Sequence, residues 1–375
     1  MPNPPNIPGV SVSELPAGPR PIEPAPTSIA AFVGAAARGP VNEPVRITSF
    51  RDFEEQFGGL CLESTLGYAV RDFFANGGTE AIVVRLGGGV GAARQGLDAL
   101  KKTAGFNLLC LPPPGDGRDL EPGLVSVAAQ CCENQRAFLV LDAPVAWTDA
   151  SSAEAGIAQG VGTTSANAAI YFPRLVQADP LHGNRPGTFA SCGAVAGVMA
   201  RTDAQRGVWK APAGLEATLK GVERLAVALT DAEIGGLNAA SVNCLRSLPA
   251  VGPTVWGAHT LQANRNPEWK YIPVRRLALF LEQSIDNGTK WAAFEPNGPP
   301  LWTQLRDSVS AFLTGFWRQG ALQGTKPADA FFVKCDGETT TQNDIDNGVV
   351  NIVVGFAPLR PAEFVILRIS QLAQS

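Results

Sequence analysis

One stretch of this sequence has the residue types and spacing of a phosphate-binding turn. It is Gly87-Gly88-Gly89-Val90-Gly91-Ala92. It follows the apolar run Ala81–Leu86 and opens a helical stretch, and Gly87, Gly89 and Ala92 fit the G-x-G-x-x-A dinucleotide pattern. In such a turn the glycines let backbone N–H groups reach a pyrophosphate at a helix N-terminus. Two features weigh against that chemistry here. The pattern belongs on the first strand of its fold, and this run is at least the second. The following strand, Phe106–Leu111, runs into Pro112-Pro113-Pro114 with no ribose-binding acid, and Asp116 comes late. A plain β-to-α connection is the better reading, and an α/β nucleotide-binding enzyme using Gly87–Ala92 is the competing one.

Other chemistry is equally thin. There is no G-x-S-x-G, and the two histidines, His182 and His259, have no catalytic setting. Seven cysteines, an odd number without C-x-x-C, read as reduced, buried cytosolic thiols rather than a zinc site or a disulfide framework. We therefore expect no enzyme, no metal and no cofactor. A net charge of −4 gives no basic surplus for nucleic acid. No apolar run of membrane-spanning length occurs, so no membrane insertion is expected.

The elements that surround these residues define an α/β protein. Strands are expected at Ser28–Gly34, Ala81–Leu86, Phe106–Leu111, Ala137–Leu141 and Ala168–Phe172, with helices between them. Alternation at this length predicts a mostly parallel sheet flanked by helices, over residues 28–250. Ser49 with Asp52 reads as a helix cap, and residues 188–250 as further helix with one strand, Arg224–Leu229. From 251 to 363 the pattern becomes α+β. Thr254–Leu261 and Lys270–Arg276 read as short extended segments, Arg276–Asp286 as a helix, and Leu301–Arg318 as a strong amphipathic helix. Ala330–Lys334 and Val349–Phe356 read as strands with a polar stretch between them.

The two ends are unlike the rest. Nine of the first 26 residues are proline, so residues 1–27 read as a stiff, extended arm, with a strand-like piece at Gly9, Val10 and Val12. Residues 364–375 hold a run apolar on both faces, Phe364, Val365, Ile366, Leu367 and Ile369. An arm with no core and a terminal strand needing cover are complementary, and strand addition between subunits would satisfy both.

Ordered motifs along the whole chain carry a family resemblance. Among them are Phe32-Val33-Gly34, Phe73-Phe74 with Asn76-Gly77-Gly78, Ala194-Val195-Ala196-Gly197, Gly207-Val208-Trp209-Lys210-Ala211-Pro212-Ala213, Trp256-Gly257-Ala258-His259-Thr260-Leu261, Tyr271-Ile272-Pro273-Val274-Arg275-Arg276-Leu277, and Ala357-Pro358 with Pro361-Ala362-Glu363-Phe364-Val365. With these the chain resembles the contractile tail sheath proteins of phages, R-type tailocins and phage-tail-like injection systems. His259 stands where that family more often has Arg. The resemblance implies a structural subunit that forms hexameric rings stacked in a helix around an inner tube protein, with baseplate and terminal cap proteins as further partners. It implies contraction that drives the tube through a target envelope, and assembly in the cytoplasm as part of a tail or tail-like particle. It also makes residues 251–363 an inner, assembly domain. Within that domain Arg265, Lys270, Arg275 and Arg276 stand against Glu268 alone, a positive surplus that could meet an acidic tube. Internal pairing of the same residues is the alternative.

Overall fold

The computed structural model describes residues 19–363 except 89, 90, 104 and 116. The chain divides into two compact units. The large unit is Pro24–Gln283 with the chain from Pro358 on, and the small unit is the chain up to Glu23 with Ser284–Ala357.

In the large unit the strands are β1 (Ala30–Gly34), β2 (Pro44–Ile47), β3 (Ala81–Arg85), β4 (Leu108–Cys110), β5 (Phe138–Asp142), β6 (Ala168–Phe172), β7 (Leu175–Asp179), β8 (Arg185–Phe189), β9 (Arg224–Leu225), β10 (Val242–Leu248) and β11 (Gly252–Val255). The helices are α1 (Phe50–Phe57), α2 (Leu66–Ala75), α3 (Ala92–Lys101), α4 (Pro122–Asn134), α5 (Ala150–Gln159), α6 (Cys192–Arg206) and α7 (Asp231–Ala239). Eight strands form one sheet in the order β11-β10-β6-β5-β4-β1-β3-β2. The six inner strands are parallel and the two edges, β2 and β11, run antiparallel. A sheet covered on both faces needs strands apolar on both faces. β1 and β6 meet that need, with every residue buried. Ala30 and Phe32 face a core completed by Phe53, Phe57, Phe73 and Met199. Ala31 and Val33 face the opposite core, with Leu97, Leu100, Leu139 and Leu237.

Helix ends follow local chemistry. Ser49 caps α1 by accepting from the Asp52 N–H, and Gly58 closes it with φ 93°. The tightest helix contact is between α2 and α6. A Cβ on Gly193 would lie 2.0 Å from the Ala69 carbonyl oxygen, and one on Gly197 2.5 Å from that of Phe73. Both clashes are with backbone, which cannot swing away. Gly197→Ala is therefore expected to lower stability by about 1–3 kcal/mol, as overpacked cores do. A urea midpoint equal to wild type would contradict this.

Several local expectations change. β7, β8 and β9 form a separate three-stranded antiparallel sheet in the order β8-β7-β9. His182 lies in the turn between β7 and β8, and β9 covers only the first two residues of the strand expected at 224–229. The boundary expected between 250 and 251 falls inside the β10–β11 hairpin, whose register pairs Leu248 with Gly252. The two compact units meet at 283/284, within α8 (Ile272–Thr289). That helix also overturns the extended reading of Lys270–Arg276. Pro273 falls in the first turn, where a missing N–H costs nothing, and the Arg275 N–H donates to the Tyr271 carbonyl at 3.0 Å.

The small unit holds α9 (Pro299–Arg318), α10 (Pro327–Ala330), β12 (Phe331–Lys334), α11 (Gln342–Asp346) and β13 (Val353–Phe356). The expected apolar stripe of α9 is buried at Leu301, Leu305, Val309, Phe312 and Phe316. Leu301, Trp302 and Leu305 pack with Cys335, Val350 and Ile352. The strand expected at 349–356 begins only at Val353. Before it, Asn351 gives its N–H to Thr340 Oγ1 at 3.1 Å and takes Thr339 Oγ1 at 3.2 Å on its carbonyl, so its backbone groups go to side chains rather than to a ladder.

Candidate assembly surfaces

The arm residues Gly9, Val10, Val12, Phe364, Val365, Ile366, Leu367 and Ile369 lie outside the described residues. What the structure gives is the root of each arm, and an open sheet.

The N-terminal root belongs to the small unit. The Arg20 N–H donates to Ser308 Oγ at 2.9 Å, and its guanidinium stacks 4.0 Å over the Trp291 ring. Ile22 is buried and packs where Gly288 has no side chain; a Cβ there would lie 2.6 Å from it.

In the same unit, among the described residues, β12 and β13 pair only with each other, in the register Phe331↔Phe356 to Lys334↔Val353. Among the described residues no third strand covers either edge. Phe332 and Val353 are exposed at 52% and 44%. A two-stranded sheet is marginal alone, and an open edge with exposed apolar side chains is a template for further strands.

The C-terminal root is Glu363, in the large unit. His259 Nε2 lies 2.5 Å from Glu363 Oε1, and Lys270 Nζ and the Tyr271 hydroxyl each lie 3.0 Å from Oε2. Burial pushes the carboxyl up, but Lys270, His259 and Tyr271 together outweigh it and hold Glu363 below its ordinary value. The basic residues of 265–276 go to different partners. Lys270 is committed to Glu363. Arg275 donates to Asn167 Oδ1 at 2.7 Å. Arg276 is buried and bidentate on Asp203, at 2.6 and 2.9 Å. A buried, paired arginine presents no charge to a tube, so Arg276 is withdrawn from that role. Arg265 is exposed, with one long contact, 3.4 Å to Thr164 Oγ1.

Two places where an α/β sheet could bind a small molecule are the glycine turn and the C-terminal end of the strands. Gly89 and Val90 lie outside the described residues, and Gly91 begins α3 with φ 82° and no side-chain cap. At the C-terminal end of β5, where open α/β sheets bind ligands, Asp142 Oδ1 accepts from the Ser191 and Cys192 N–H groups at 2.6 and 2.7 Å. The start of α6 thus already holds an anion. A cavity of about 640 Å³ near this end has Arg174 and Asp179 in its wall. Arg174 is tied to Asp119 at 2.9 Å, and Asp179 to the Tyr68 hydroxyl at 2.7 Å. The seven cysteines are free thiols, six of them buried, and burial pushes Cys244 up to about 12.

The described residues thus combine a parallel sheet with a helix N-terminus already occupied by Asp142 and, in the small unit, a two-stranded sheet with exposed apolar side chains. Residues 88–261 match the phage tail sheath protein central domain, and residues 264–371 the phage tail sheath C-terminal domain. A putative prophage major tail sheath protein of Pseudomonas aeruginosa (strain UCBPP-PA14) is 25% identical over 384 residues, covering 95% of this chain and 94% of its own. The tail sheath protein of Vibrio phage KVP40 is 27% identical over 176 residues, 47% of this chain and 25% of that protein, so the match spans about a quarter of that relative's length. Among solved structures, the sheath of the PVC extracellular contractile injection system in its contracted state has a TM-score of 0.80 and 31% identity, covering 98% of both chains. The contracted helical sheath of the anti-feeding prophage has a TM-score of 0.78 and 29% identity, covering 98% of this chain and 99% of that one. The chain belongs to the contractile tail sheath family. It is a structural protein, not an enzyme.

Proposed function

We propose that this chain stacks as hexameric rings, in a helix around an inner tube, and that the stack shortens to drive the tube through a target envelope. Baseplate and terminal cap proteins bound the stack, and assembly takes place in the cytoplasm. The observation that carries this reading is the end-to-end likeness to contracted injection-system sheaths, combined with two anchored arm roots and the open β12–β13 sheet. In this reading residues 1–15 and 364–375 of neighbouring subunits add to that sheet. Each donated strand gains several backbone hydrogen bonds worth roughly 0.5–1.5 kcal/mol apiece. Such links hinge without parting, so the stored energy resides in a metastable packing of subunits and needs no cofactor.

Electron microscopy tests it. The expressed chain is expected to form rods, in a long and a short form of different pitch. A small oligomer that never forms rods would remove the reading. For tube contact, Arg265 is the remaining basic candidate. Arg265→Glu is expected to weaken co-assembly on tubes at low salt, and normal co-assembly would set that contact aside.

A further inference from the structure

The Glu363 cluster sits at the last described residue before the C-terminal arm. Three groups converge on one carboxylate from a loop and from the start of α8, and they are themselves fixed. Asn243 of β10 holds the His259 backbone on both sides, with its Oδ1 2.7 Å from the His259 N–H and its Nδ2 2.8 Å from the His259 carbonyl. His259 Nδ1 lies 3.1 Å from the Asn238 carbonyl. A carbonyl only accepts, so Nδ1 carries a proton. Nε2 lies 2.5 Å from Glu363 Oε1. Nε2 makes no hydrogen bond of regular angle. The side chains of His259 and Glu363 are 4% and 18% exposed, so water screens them little.

We propose that Glu363 is a charge latch, gripped by His259, Lys270 and Tyr271, that fixes the direction in which the C-terminal arm leaves its subunit. This deepens the reading of residues 364–375 as a linker and rests on it. A linker transmits motion only if its root is held by its own subunit. Glu363 is the last point at which the described chain is so held. The latch depends on ionised Glu363. It is complete at neutral pH and is lost as pH falls through the lowered value of that carboxyl, below its ordinary 4.5.

The test uses the full-length subunit before assembly and a glutamate-specific protease. To cut after Glu363 the protease must take that carboxylate into its own pocket, so cutting reports release. Exposed Glu63 serves as the internal standard. Wild type is expected to resist at Glu363 at neutral pH. Lys270→Met and His259→Gln are expected to be cut there about tenfold faster, with fewer rods formed. Lys270 is partly exposed, so its variant folds even if the buried histidine variant does not. Wild-type cutting rates in Lys270→Met overturn the latch. Deleting residues 364–375 tests the linker separately. Rods from that truncated chain remove the linker reading, and the cutting rates then judge the latch alone. No rods from it, together with unchanged cutting in Lys270→Met, keep the linker and remove the latch.

Discussion

A chain lacking residues 1–15 is expected to fold, to stay soluble and to form no sheath. The cut spares the two anchoring contacts of the N-terminal root, Arg20 on Ser308 and Ile22 against Gly288, so the core of the small unit keeps its pieces. What is lost is Gly9, Val10 and Val12, the strand-like part of the arm. Per subunit the loss is a handful of backbone hydrogen bonds at roughly 0.5–1.5 kcal/mol each. Every subunit of a lattice loses them at once, so assembly fails as a whole. Thermal unfolding by circular dichroism should match wild type, and negative-stain images should show no rods. Sheath that assembles and contracts normally from this chain would falsify the linker role of the N-terminal arm.

Removing the guanidinium in Arg276→Ala is expected to cost about 3–5 kcal/mol, the range for breaking a buried ion pair from one side. Arg276 and Asp203 side chains are each 4% exposed, and the same guanidinium also donates to the Thr27 carbonyl at 2.9 Å. The variant strands a carboxylate in the interior and releases the first residues of the large unit. Replacing both partners, Arg276→Met with Asp203→Leu, is expected to recover much of the loss, because no charge is then left alone. Urea midpoints of the three chains decide this. A single variant as stable as wild type would mean that the interior there admits water. Arg265→Ala, by contrast, is expected to move stability by less than about 0.5 kcal/mol, as exposed positions do.

The parallel sheet was legible because its strands, such as Ala30-Ala31-Phe32-Val33 and Ala168-Ala169-Ile170-Tyr171, are short apolar runs between helical patterns. The α9 stripe was legible from spacing alone. The helix α11 was missed although Thr341 and Asp344 spell its capping box, because its five residues carry no apolar period. The start of α8 was misread because Tyr271-Ile272-Pro273-Val274 has strand-like propensities, which tertiary packing overrode. The four basic residues at 265–276 were countable in the sequence, but their partners were not. Asp203, Asn167 and Glu363 lie 73, 108 and 93 residues away from the groups they bind.

The chain visits the small unit twice, and this has a consequence for the order of events on the ribosome. Arg20 and Ser308 are 288 residues apart. At about 5–20 residues per second, the N-terminal root emerges roughly 15–60 s before its anchor exists. The β12–β13 pair, the surface that would accept a neighbour's strand, is not complete until residue 356 is made. In the proposed linker reading, a nascent chain has its N-terminal arm long before it has a surface for another arm to join. On that reading polymerisation is deferred to finished subunits, and a polysome translating many copies does not knit its products together.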